Sequence, residues 1–97
     1  MSAYILLCNF TEQGVRNIKD VPNRRAAARE LGKRLGVEIR SSHLALGAYD
    51  LIINAEAASD EAMATFILSL SSRGNLRTTT VKVFPEADYD KVIAALA

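Results

Sequence analysis

One cysteine, one histidine and no long apolar run are the shortages that set the first limits on this chain. The lone Cys8 excludes an internal disulfide. The apolar stretch from Tyr4 to Cys8 falls far short of a signal core or of the roughly 20 residues that cross a bilayer. No basic leader precedes it. A cytoplasmic, reducing setting with no membrane partner is therefore the expectation. Charge of one sign is lacking too, since twelve Lys and Arg against eleven Asp and Glu leave a net +1. The field of the whole molecule gives no reason to expect nucleic acid. No metal-ligand spacing, nucleophile triad or glycine-rich phosphate loop is present, so neither a metal nor a cofactor is expected.

What is present fits one domain spanning residues 1–97, because a chain of this length at 49% apolar content builds one modest core. Ala3–Phe10 is apolar on both alternating sets, which predicts a central strand. Thr11 caps a short helical turn through Gln13-Gly14-Val15-Arg16. Asp20 then starts a longer helix with Pro22 in its first turn, and Gly36 stops it. Ala27, Ala28, Leu31 and Leu35 form the predicted buried stripe of that helix. Val37–Leu46 and Tyr49–Ala57 read as antiparallel strands joined by a hairpin at Gly47-Ala48. Ser59 caps a helix whose inner face is Ala62, Phe66 and Leu70. Leu76–Phe84 is a fourth strand, and Pro85 opens a terminal helix with Ala87, Val92, Ile93 and Leu96 free for docking.

The order β-α-β-β-α-β-α predicts an α+β fold, the ferredoxin-like βαββαβ arrangement with an extra C-terminal helix. Its four-stranded antiparallel sheet carries two helices on one face. The other face then needs a cover, and the same face of a second copy is the simplest one, giving a homodimer or higher oligomer. Asn54, Glu56, Thr78, Thr80 and Lys82 are the polar strand residues expected to line a cavity in such a dimer.

A resemblance to a known family is carried by YILLCNFT at residues 4–11, Gln13-Gly14, GAYDL at residues 47–51 and GNLRTTTVKVFPE at residues 74–86. The chain resembles GYD-domain proteins over nearly its whole length. The resemblance implies the fold of the dimeric α/β-barrel proteins, a group holding heme-degrading and quinone-forming monooxygenases and polyketide cyclases. It implies no activity for the GYD family itself, since shared shape does not transfer chemistry. Ser41-Ser42-His43 departs from the larger aromatics expected before the turn in relatives.

The candidate ligand-binding residues are Thr11, Gln13 and Gly14, the turn residues Tyr49 and Asp50, and Asn75, Arg77 and Thr78 at the start of the fourth strand. Arg77 is the expected partner of Asp50. Between Arg16 and Arg34 seven basic residues face two acidic ones, which suits a small anionic ligand near the helix start at Thr11. No aromatics interleave with these arginines, so an RNA surface is not indicated. Cys8 reads as a small buried hydrophobe. Two functions follow. The first is a non-catalytic module that binds a small ligand or serves structurally. The alternative is a cofactor-independent monooxygenase or polyketide-cyclase-like enzyme using His43, Tyr49 and Asp50 in the dimer cavity.

Overall fold

Two hydroxyls punctuate the chain as the sequence requires. In the computed structural model, which describes Met1–Ala97, Thr11 accepts the Gly14 N–H and Ser59 accepts the Ala62 N–H, each at 3.1 Å. Each hydroxyl satisfies an N–H that a helix start leaves without a partner. Strand β1 is Ser2–Phe10, helix α1 is Glu12–Arg16, and a single 3-10 turn at Ile18–Asp20 leads into α2, Val21–Leu35. Gly36 ends α2 in the left-handed region, with φ +81°. Then come β2 (Val37–Leu44), β3 (Leu51–Ala57), α3 (Asp60–Ser72), β4 (Leu76–Val83) and α4 (Glu86–Ala94). Asp20 precedes α2 without capping it, because its carboxylate accepts from the Asn23 side-chain amide at 2.9 Å instead.

The strands form one antiparallel sheet in the order β2-β3-β1-β4. β1 is central, as its apolar composition demands. Tyr4, Leu6 and Cys8 from β1 and Ile53, Ala55 and Ala57 from β3 point to the helical layer. They meet Leu31 of α2 and Met63, Phe66 and Leu70 of α3 in one core. Met63 takes the buried place expected of Ala62, and Ala27 faces solvent. No polar or charged residue is fully buried.

Three expectations about the strands are corrected by the register. First, Thr78, Thr80 and Lys82 pair with Cys8, Leu6 and Tyr4, so they share the helical face rather than the open one. The open face of β4 is Arg77, Thr79, Val81 and Val83. Second, β2 contains a bulge between Ile39 and Ser41. The extra residue shifts the alternation, turning Ser42 and Leu44 toward the helices and Ser41 and His43 to the open face. Third, β2 and β3 close at the pair Leu44 and Leu51, and the residues between them form a bent loop instead of a two-residue hairpin.

Helix α4 contributes no buried residue. Tyr89, Val92 and Ile93, and Leu96 just beyond its end, all remain exposed.

Candidate functional site

At the end of β1 the chain is tied into a clasp by main-chain and side-chain hydrogen bonds. The Asp50 N–H donates to the Cys8 carbonyl at 2.9 Å, and the Asp50 carboxylate accepts the Phe10 N–H at 2.9 Å. The Asn9 side chain donates to the Ala48 carbonyl at 3.0 Å. One residue further on, the Thr11 N–H donates to the Asn75 carbonyl and the Thr11 hydroxyl to the Gly74 carbonyl. The Gln13 amide donates to the Arg73 carbonyl and to Asn75 Oδ1, both at 3.0 Å. The structure therefore gathers Thr11, Gln13, Gly14, Asp50 and Asn75 at one end of the central strand. Their polar atoms are engaged with one another and with the backbone, which makes the clasp a fixed joint between β1, the β2–β3 loop and β4.

The remaining candidates lie elsewhere. Arg77 stands opposite Asn9 on the open face and forms no ion pair with Asp50, whose carboxylate is taken by Phe10. Thr78 points beneath the helices, where its hydroxyl is buried without a hydrogen-bond partner. His43 pairs with Ile52 on the open face, and neither its imidazole nor the Tyr49 phenol makes a hydrogen bond. Within one chain no hydrogen bond links His43, Tyr49 and Asp50, the residues of the enzymatic alternative. Burial pushes the Cys8 thiol up to about 11, which keeps it protonated and inert.

The open face of the sheet carries Ile5, Leu7, Ile52 and Val81 as a central apolar stripe. Asn54 donates to Ser41 Oγ at 2.8 Å beside it, and Arg40 holds Glu56 at 2.9 Å and Glu38 at 3.2 Å along one margin. An apolar centre with a polar margin, paired along β2 and carrying the unpaired Arg77 and His43, is the composition of a contact surface.

On the helical side, Tyr4 donates its hydroxyl to Asp60, and Lys82 reaches the same carboxylate at 3.0 Å. Burial, with the Asp60 hydrogen bond added, raises the Tyr4 phenol above its ordinary value. The bond from Tyr4, then that from Lys82, lowers Asp60, and the bond to Asp60 raises Lys82. Because Asp60 is lowered on folding, its contribution is complete above the unfolded range near roughly pH 4 and is lost as pH falls through the lowered value. Lys82 and Tyr4 are raised, so theirs is complete below roughly pH 10 and is lost as pH rises through the raised values. The melting temperature of the wild type should exceed that of Asp60→Asn by a constant amount between about pH 5 and 9, and by less on either side. Thermal melts across pH check this, and a difference independent of pH would count against the cluster.

A cavity of about 320 Å³ lies between the N-terminal half of α2 and the sheet. Its floor is Ile39, Leu51 and Ile53, and its roof is Ile18, Val21 and Ala28. Phe10 and Leu76 close one end, and Ser42 and Leu44, turned inward by the bulge, line the β2 side. Arg24 and Arg25 stand at its edge. The sequence flagged these arginines as part of a basic stretch. The cavity itself depends on the bulge and on how α2 sits, which no residue pattern announces.

The comparisons agree with this architecture. The family model described as GYD domain matches residues 4–93. A Thermus thermophilus protein named glutamine synthetase and cystathionine beta-lyase binding protein is 32% identical over 89 residues, covering 91% of this chain and 94% of its own. Among solved structures, a feast-or-famine regulatory protein from M. tuberculosis, complexed with L-methionine, superposes with a TM-score of 0.67 at 14% identity over 88% of this chain. This chain matches only 51% of that regulator's length. A second solved protein, also from Thermus thermophilus, gives a TM-score of 0.56 at 20% identity, covering 88% of this chain and 95% of its own. At these identities the solved structures show the shared fold alone.

Proposed function

This chain belongs to the GYD-domain family, and from that premise we propose that it is a non-catalytic binding module acting as a homodimer through its open sheet face. The observation that carries this reading is the uncovered stripe of Ile5, Leu7, Ile52 and Val81, set on a sheet whose other face is covered by α2 and α3. A two-fold pair needs only one self-complementary patch, and this stripe with its polar margin is one. Binding rather than turnover is supported by the clasp, where the motif residues Thr11, Gln13, Asp50 and Asn75 use their polar atoms to hold the fold together. It is supported also by the Thermus relative, whose name describes the holding of two other proteins, and by the regulator solved with a small amino acid. The assignment to this chain is of that kind: it holds a ligand or partner and does not transform it.

Sedimentation velocity at tens of micromolar tests the assembly. The wild type should sediment as a dimer of the 10.6 kDa chain, and Leu7→Glu, which places a charge at the centre of the stripe, should sediment as a folded monomer. A monomeric wild type would overturn the dimer.

A further inference from the structure

The cavity under α2 owes its existence to where that helix touches the sheet. At its C-terminal half α2 lies close, since a Cβ on Gly32 would stand 2.7 Å from the Val37 carbonyl oxygen and 3.5 Å from the Phe66 ring. At the other end Arg24 ties α2 to the preceding turns, donating to the Asn17 carbonyl at 2.8 Å and the Gly14 carbonyl at 3.3 Å. Between these two attachments the facing side chains, Ala28 on the helix and Ser42 on the strand, are too small to fill the gap. What remains is a largely apolar recess at the small end of the volume range of ligand pockets.

The charge at its edge is one-sided. Arg24 is committed to backbone carbonyls, but the Arg25 guanidinium makes neither a hydrogen bond nor an ion pair, and no carboxylate lines the cavity. A free guanidinium beside an apolar recess suits a molecule with an apolar body and a carboxylate head.

We propose that this cavity binds a medium-chain aliphatic carboxylate, with its tail between Ala28 and the β2–β3 floor and its head on Arg25. This deepens the binding-module reading and rests on it, by naming where the ligand sits and what it is. The tail takes the place of water against Ile39, Leu51 and Ile53, and Ser42 supplies the one hydroxyl along its path.

Isothermal titration calorimetry with hexanoate, octanoate and decanoate tests the tail. Affinity should rise by about fourfold per added CH₂ until the cavity is full and then level off. Octanoate against 1-octanol tests the head. The acid should bind more tightly to the wild type, and Arg25→Gln, an exposed substitution that leaves the core untouched, should weaken octanoate by about tenfold while leaving 1-octanol unchanged. Arg34→Gln, on the same helix but outside the cavity, should change neither. Absence of saturable octanoate binding at millimolar concentration overturns the proposal, as does an Arg25→Gln variant that binds octanoate as the wild type does. Binding seen only in Ile93→Lys, which alters the exposed apolar face of α4, also overturns it, because a neighbour's terminal helix would then be the native occupant. The same titrations on the Leu7→Glu variant keep the two readings apart. Octanoate binding by a monomer leaves the cavity assignment standing whatever the fate of the dimer, and a wild-type dimer indifferent to octanoate removes the cavity assignment alone.

Discussion

Gly14→Ala is expected to lower the melting temperature by about 12–24 °C, on the scale of about 4–8 °C per kcal/mol for a domain of this size and a cost of about 3 kcal/mol, the top of the usual range for overpacking. The added methyl would fall 2.2 Å from the Asn75 carbonyl oxygen and 3.1 Å from its carbon. Both atoms are backbone, so no side chain can swing aside. Moving α1 away would stretch three bonds together: the Gly14 N–H to Thr11 Oγ1 at 3.1 Å, the Thr11 N–H to the Asn75 carbonyl at 3.1 Å and the Thr11 hydroxyl to the Gly74 carbonyl at 2.5 Å. It would also disturb Arg24, which stands at the edge of the cavity and holds the Gly14 carbonyl. Circular dichroism melts read the effect directly. A variant melting within a few degrees of the wild type would mean that α1 can lift off β4 freely and that the clasp is not a joint.

The same glycine marks how far residue patterns reach. Thr11, Ser59 and Gly36 declare their helix boundaries because capping and positive φ are local requirements. The apolar composition of β1 on both phases placed it at the centre of the sheet for a similar reason. β4 was not legible in the same way, since Arg77-Thr78-Thr79-Thr80-Val81-Lys82-Val83 carries β-branched or charged residues on both phases. Only its pairing with β1 decides that Arg77 and Val81 face outward while Thr78 and Lys82 face the helices. The bulge in β2 is equally silent, because Val37-Glu38-Ile39-Arg40-Ser41-Ser42-His43-Leu44 alternates plausibly with or without an extra residue. As for Gly14, the motif marks it only as a candidate ligand-binding residue near a helix start. Its requirement comes from a carbonyl 61 positions along the chain, and contacts at that separation leave no mark on local spacing.

Phe66→Ala should cost about 3–5 kcal/mol, the range for emptying a fully buried aromatic site, and lower the melting temperature by about 12 °C or more. Phe66 is fully buried in the core between α2, α3 and the sheet, and its ring sits against the close approach of α2 at Gly32. Collapse into the vacated space is opposed on the α2 side by the Val37 carbonyl, which already limits how near Gly32 can come. The cavity therefore stays largely unfilled, which places the loss toward the upper part of that range. Since whole domains hold only about 5–15 kcal/mol, a loss of this size removes a large share of the total stability. Phe66→Leu, which keeps most of the volume, should lose about 1.5 kcal/mol or less. Chemical denaturation of the three proteins checks the series, and a loss below about 1 kcal/mol for the alanine variant would place the centre of the core elsewhere. Phe66 does not line the cavity under the N-terminal half of α2. Well below its melting temperature, Phe66→Ala should therefore keep the rise in carboxylate affinity with chain length, because the attachment that stabilises α2 and the recess that would hold a ligand are at opposite ends of the same helix.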